Sequence, residues 1–332
     1  MHTEETKRQG AENMKGLIVC AGRGTRLQPF SYLTSKVLLP VANKPLIFYS
    51  LEKLKSLGIN EIGIVIQPAQ KVLFEEHVGD GVNWDVRITY LFQEKPLGIA
   101  DAVKQSESFI GSDSFILLLG DNLINQSLAE LKDSVLVDHY DGALLLGKVE
   151  NPQEYGIAEI EEQRIIGLEE KPLQPKSNLA IVGAYAFTAQ IFKAIHAISP
   201  SRRGEYEITD AIQYLIQHGY SISYDITTDP HTDVGTPGRW LEANRWMLQS
   251  MPAEETTVTY ESYEGSVFQS PVLIDPSSKL LNCEIGPYVV IGPGVILENC
   301  KIEDSIILEG VNLRNRILNG SIVSIHHAVP PI

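Results

Sequence analysis

The sequence predicts an α/β fold: a Rossmann-like, mostly parallel sheet with helices on both faces, plus a small C-terminal coil of parallel strands. Three observations predict it. Short apolar runs alternate with amphipathic stretches of helical period from residue 14 to about residue 250. The first apolar run ends in a Gly-rich turn, and a later one ends in Gly120-Asp121-Asn122. Beyond residue 265 an apolar residue returns every sixth position. Buried parallel strands read as continuous apolar runs, and helical crossovers between them cover both faces.

In chain order, strands are expected at residues 17–21, 61–66, 87–92, 115–119, 142–149 and 180–187. Helices are expected between them, at 45–57, 100–109 and 128–139. Ligands of such sheets bind at the carboxyl ends of the strands. The turns after the first and fourth runs are therefore expected on one edge.

The tail follows a different rule. Ile285-Gly286-Pro287, Ile291-Gly292-Pro293 and Leu297 step by six residues, and Ile302 and Leu308 resume that spacing after a step of five. The pattern is similar to the hexapeptide repeat of a left-handed parallel β-helix, with three short faces per turn. It predicts about three coils of ~18 residues between residues 267 and 325. The expected organisation is a polar, disordered extension over 1–13, a main domain over 14–250, a linker over 251–264 and the β-helix over 265–332. Met14 reads as the functional start.

Composition narrows the function. The chain has 332 residues, 43% of them hydrophobic, enough for one large core and a small one. A net charge of −15 argues against a nucleic-acid binder, which needs a basic face. No apolar run is long enough to span a membrane, and no apolar segment of signal-peptide type opens the chain. A cytoplasmic location is expected. Cys20 falls in a core strand, and Cys283 and Cys300, 17 residues apart in the tail, are expected to be reduced.

The segment Ala21-Gly22-Arg23-Gly24-Thr25-Arg26-Leu27 follows the first strand, and Lys36 opens Lys36-Val37-Leu38-Leu39-Pro40. A Gly-rich turn lets backbone N–H groups approach an anion, and two nearby cations would neutralise a polyphosphate. The loop is not a Walker A motif, since no Gly-Lys-Ser/Thr follows, and it lacks the third Gly of a dinucleotide fingerprint. By itself Gly-x-Gly is often only a tight turn.

The longer string Gly-x-Gly-Thr-Arg-Leu-x-Pro with Lys-x-Leu-x-Pro-Val resembles the signature of sugar-1-phosphate nucleotidyltransferases. Further strings extend the likeness: residues 40–45 (Pro-Val-Ala-Asn-Lys-Pro), 93–100 (Gln-Glu-Lys-Pro-Leu-Gly-Ile-Ala), 119–122, 169–172 (Glu-Glu-Lys-Pro), 203–210 and 233–236. Together they resemble the glucose-1-phosphate thymidylyltransferases, and the hexapeptide tail is similar to the long form of that family. The resemblance implies a reaction in which dTTP and α-D-glucose 1-phosphate give dTDP-glucose and pyrophosphate. It also implies Mg²⁺ as cofactor. The charge argues against a nucleic-acid partner and the lack of a long apolar run against a membrane partner, while a β-helix tail, whose faces and edges gain from being covered, points to a homo-oligomer.

Roles follow from the resemblance, position by position. Arg26, Lys36 and Lys171 correspond to catalytic cations: Arg26 grips the departing phosphates, Lys36 bears on the triphosphate, and Lys171 holds the sugar phosphate. Asp121 and Asp233 correspond to metal ligands, a choice consistent with the preference of Mg²⁺ for carboxylate oxygen. Ala21, Gly22, Gly24, Thr25, Gln93, Gly98 and Asp121 correspond to nucleotide-binding positions, with Gln93 and Gly98 at the base edge. Asn122, Tyr155, Gly156, Glu170, Lys171, Ile181, Tyr185 and Arg203 correspond to positions around the sugar phosphate. Each has a plainer alternative: a turn-capping Asp, a surface Lys, or core packing for Ile181 and Tyr185.

The chain departs from the commoner short forms at three places. Arg23 adds a cation to the loop, Val37 stands where Gln is frequent, and Ala100-Asp101-Ala102 stands for Ala-Gln-Ala. Other readings remain: a UTP-, CTP- or GTP-using transferase, or a non-catalytic sugar-nucleotide sensor. Hexapeptide coils also occur in acyltransferases, but the tail offers only His326 and His327, at its very end, as a general base.

Overall fold

The computed structural model describes residues 13–32, 34–257 and 263–329. The expected extension, except Asn13, and residues 258–262 of the expected linker lie outside the described residues. By its contacts the chain forms two compact units. One runs to Arg23 and resumes over Ile47–His231. The other joins Gly24–Leu46 to the chain from Thr232 onward.

The first unit is built on a nine-stranded sheet. Its strands are β1 (Met14–Val19), β2 (Glu61–Ile66), β3 (Arg87–Phe92), β4 (Ser114–Leu119), β5 (Gly142–Lys148), β6 (Gly156–Glu161), β7 (Arg164–Glu170), β8 (Leu179–Phe187) and β9 (Ile222–Thr227). The first four are parallel, in the order β4-β1-β2-β3. Helices α1 (Leu46–Ser56), α2 (Lys71–His77) and α3 (Ile99–Lys104) supply the crossovers that parallel pairing demands. α4 (Glu107–Ile110) and α5 (Ala129–Leu136) follow in the chain.

The other half of the sheet is mixed. β8 runs antiparallel to β4 and β5, β6 and β7 form an antiparallel hairpin, and β9 returns parallel to β5. The hairpin has a two-residue connection, too short for anything but an antiparallel pair. The single helix expected over 100–109 is two, α3 and α4. Between them the Ser106 hydroxyl donates to the Val103 carbonyl at 2.6 Å, competing with the helical ladder. Leu17, Phe115, Leu117, Leu144, Leu146 and Phe187 are fully buried and anchor one core with α6 (Gln190–Ala197) and α7 (Ile208–Gln217).

The second unit carries α8 (Pro237–Ser250) and the C-terminal coil. Three ladders of short parallel strands form the coil's three faces. Val267 pairs with Glu284, Glu284 with Lys301, and Lys301 with Ile317, so successive coils are offset by 17, 17 and 16 residues rather than 18. This is the parallel β-helix expected, with tighter corners. Asn282, Asn299 and Asn315 take positive φ there, a conformation Asn tolerates better than most side chains. Val272, Ile285, Ile291, Leu297, Ile302 and Ile307 fill the interior. Cys283 and Cys300 are stacked there, buried and free.

Candidate active site

On the first unit, the nucleotide candidates follow the ends of β1, β3 and β4. The chain leaves β1 with the Cys20 N–H donating to the Val65 carbonyl at 2.8 Å, and the Gln67 amide donates to the Ala21 carbonyl at 2.8 Å. Ala21 is thereby pinned, while Gly22 and Arg23 are exposed. Gln93 lies just past β3 and is only 3% exposed. Its Nε2 donates to the Gly98 carbonyl at 3.1 Å and to Asp101 Oδ2 at 2.7 Å. Gly98 has φ +108°, and a Cβ there would sit 2.5 Å from the Tyr206 carbonyl oxygen. Only glycine fits such an approach. The Leu97 carbonyl accepts from the Tyr206 N–H at 2.7 Å, and the Tyr206 carbonyl accepts from the Ala100 N–H at 3.0 Å.

The sugar-phosphate candidates gather around the end of β7. Glu170, its last residue, accepts from the Thr209 hydroxyl at 2.6 Å and meets Arg203 at 3.5 Å. Gly156 makes room: a Cβ there would lie 2.6 Å from Thr209 Oγ1 and 3.1 Å from Glu170 Oε2. Lys171 is exposed, takes φ +45° and donates its N–H to the Tyr155 carbonyl at 2.9 Å. A non-glycine residue held left-handed beside a candidate ligand position is the kind of strain that functional sites store. Arg203 is also paired with Glu205 at 3.1 Å and Glu207 at 3.3 Å, so three carboxylates share it. Burial pushes the carboxyl of Glu207 up, and Glu170 adds to that, while Ser201 and Arg203 oppose it.

Asp121 and Asn122 follow β4, and the Asn122 amide donates to the Val182 carbonyl at 3.1 Å. Ile181 and Tyr185 lie on β8 inside the core cluster, 6% and 3% exposed. Ile181 therefore serves packing whatever else it does. Burial raises the Tyr185 phenol, and Glu170 and then Asp121 add to the shift, so the hydroxyl keeps its proton and remains a donor.

On the second unit, Gly24 takes φ +62° and caps the short helical turn Thr25–Leu27, and its carbonyl accepts from the Ser31 hydroxyl at 2.7 Å. This turn leaves the Arg26 side chain 63% exposed. Arg26 Nη2 lies 4.0 Å from Asp233 Oδ2, and Arg239 Nη1 lies 2.5 Å from Oδ1 of the same carboxylate. Lys36 is half-buried at the start of the turn Lys36–Leu38. The segment that carries it is moored to α8. Trp240 Nε1 donates to the Pro40 carbonyl at 2.7 Å, Asn244 Oδ1 accepts from the Ala42 N–H at 3.0 Å, and Phe30 meets the Trp240 ring edge-on.

Thr209 and Arg239 were not among the expected site residues. Thr209 sits within the string 203–210 that carries part of the resemblance. Nothing in the sequence singles out Arg239, because its pairing with Asp233 depends on how α8 begins. Among the described residues no group of three or more His, Cys, Asp and Glu is placed to cage a metal. A closed all-protein cage is not what Mg²⁺ requires, since it keeps waters and takes phosphate oxygens beside one or two carboxylates. The hard oxygens of Asp121 on the first unit, and separately those of Asp233 on the second, are of the type that mode of binding uses.

A Gly-rich loop after the first strand of a parallel sheet and a carboxylate after the fourth suit a phosphorylated ligand. The chain belongs to the nucleotidyl transferase family, whose pattern it matches over residues 15–250. It is 35% identical to a glucose-1-phosphate thymidylyltransferase of Streptomyces griseus, over 94% of this chain and 92% of that one. It is 36% identical to the low-salt glycan biosynthesis nucleotidyltransferase Agl11 of Haloferax volcanii, over 92% and 91%. A solved chain from Bacillus anthracis, crystallised with a sucrose, matches with a TM-score of 0.67 and 34% identity, covering 70% of this chain and 94% of that one. Among the described residues no helix is long and apolar enough to cross a membrane.

Proposed function

We propose that this protein transfers a thymidylyl group from dTTP to α-D-glucose 1-phosphate, giving dTDP-glucose and pyrophosphate. The observation that carries this reading is the similarity to the Streptomyces griseus thymidylyltransferase over 94% of this chain, too much to leave out the C-terminal coil. An oxygen of the sugar phosphate attacks the α-phosphorus in line. The bond from that phosphorus to the bridging oxygen breaks, and pyrophosphate leaves with the electron pair. The nucleophile is already an anion at neutral pH, so no general base is required. Catalysis is then positioning and neutralisation of charge.

Arg26 offers a guanidinium fork to the departing phosphates. Lys36 bears on the triphosphate, and Lys171 holds the phosphate of the incoming sugar. Glu170 and the Tyr185 hydroxyl address sugar hydroxyls, and Arg203 reaches the sugar phosphate once it exchanges a carboxylate partner for it. Asp121 and Asp233 would hold Mg²⁺, which supplies Lewis-acid stabilisation of phosphate charge. The chemistry is assigned to residues 14–250, and the coil over 265–332, beyond the linker 251–264, to packing or to assembly as a homo-oligomer in the cytoplasm.

The test is pyrophosphate release with Mg²⁺ and glucose 1-phosphate, offering dTTP, UTP, CTP, GTP and ATP in parallel. Release with dTTP, with or without weaker use of UTP, supports the reading. Preference for another nucleotide corrects the substrate, and release with none overturns the reaction.

A further inference from the structure

We infer that Asp101 is a positioning residue that sets the hydrogen-bonding polarity of Gln93, and through it the class of base the site accepts. The inference rests on the nucleotide site proposed above. A glutamine amide can present either its oxygen or its NH₂ group, and the choice decides which base edge it complements. Here the choice is forced. Gln93 is buried, and its backbone N–H donates to the Ile66 carbonyl at 2.9 Å. Its Nε2 lies 3.1 Å from the Gly98 carbonyl and 2.7 Å from Asp101 Oδ2. Both neighbours are acceptors, so only the NH₂ group can face them, and both of its protons are used.

Oε1 is left as a pure acceptor. It takes no hydrogen bond among the described residues, and it is not one of the polar atoms sealed without a partner in the core. It is therefore not sealed from solvent, although Gln93 as a whole is only 3% exposed. An acceptor in that place suits a pyrimidine whose ring N3 carries a proton, as in thymine and uracil. Cytosine offers a lone pair at N3, which the Gln93 oxygen repels. The two acceptors are fixed by the fold: Gly98 is clamped against Tyr206, and Asp101 lies in the first turn of α3. Without Asp101 only the Gly98 carbonyl still holds the amide in this orientation, so the preference for it weakens. Asp101 in this role touches Gln93 and not the nucleotide.

The test measures the affinities of wild type, Asp101→Asn and Asp101→Leu for dTDP, UDP and CDP by calorimetric titration. Pyrophosphate release from dTTP is recorded alongside. Wild type is expected to favour dTDP and UDP over CDP at least tenfold. The Leu variant should lose most of that preference, and the Asn variant should keep it, because its Oδ1 still accepts from Nε2. Asp101→Ala replaces the Leu variant if the latter does not fold. A general loosening of the site would weaken all three nucleotides together and leave their ratio unchanged. An unchanged ratio in the Leu or Ala variant overturns the inference, as does a lost ratio in the Asn variant. Selective binding without pyrophosphate release overturns the proposed reaction and leaves this inference standing. Dependable dTTP turnover with an unmoved ratio does the reverse.

Discussion

Asn43 Nδ2 donates to the carbonyl of Ile291 at 2.9 Å, tying the hairpin turn that follows Lys36 to the second face of the coil. Arg245 of α8 pairs with Asp304, and Gln249 donates to the Tyr288 hydroxyl at 3.0 Å. Within this unit the β-helix therefore braces both α8 and the segment bearing Arg26 and Lys36. Asn43 has φ +57°, so Asn43→Gly removes the hydrogen bond without adding backbone strain. It should cost about 1 kcal/mol, read as a shift in denaturant midpoint. No shift would mean that the brace contributes nothing.

Thr209 and Glu170 test the sugar site. Thr209→Val keeps the shape but withdraws the donor from Glu170 Oε2, leaving a half-buried carboxylate oxygen unpaired. The KM for glucose 1-phosphate should rise by roughly tenfold, given about 1–2 kcal/mol for such a bond, with the KM for dTTP unchanged. A change in both constants alike would place Thr209 in general stability instead.

The cations and carboxylates make a kinetic prediction. Asp121→Asn and Asp233→Asn should abolish Mg²⁺-dependent pyrophosphate release while far-UV circular dichroism stays that of wild type. Arg26→Ala should lower kcat about a hundredfold, since a charge acting at the transition state contributes on the order of 3 kcal/mol. Near-normal rates in all three would remove the assigned chemistry.

Lys171 separates activity from stability. Its φ of +45° costs a side chain roughly 1 kcal/mol that glycine does not bear. Lys171→Gly should match or exceed wild type in thermal stability while losing sugar-phosphate binding. Lys171→Ala should lose binding without the stability gain. The comparison of the two melting curves with glucose 1-phosphate titrations decides it.

Glu207 predicts a pH dependence. Its carboxyl is raised above the ordinary glutamate value, chiefly by burial. As pH climbs past about 4, the unfolded chain gives up this proton first, so the folded state holds more protons and loses stability. Glu207→Gln removes that penalty. Its stability relative to wild type should grow between pH 4 and the raised folded value and then level off, as measured by urea unfolding. A difference that shrinks as pH rises would mean that Arg203 and Ser201, not burial, govern this carboxyl.

Much of the fold was legible in the chain. The strands at residues 61–66 and 87–92 stand where the apolar runs put them, and the six-residue period of the tail became a three-faced coil. Those signals are local: burial on two faces demands unbroken apolar runs, and a repeating corner demands a repeating residue. The Gly24 turn was equally readable, because a tight turn after a strand calls for a residue that tolerates positive φ. Only the tertiary structure decided the antiparallel return of β8, the coil offsets of 17 and then 16 residues, and the partners of the charged groups. Whether Asp233 meets Arg239, Glu170 meets Thr209, or Asp101 fixes the Gln93 amide depends on packing between residues distant in sequence or on the orientation of a single side chain, and no periodicity encodes either.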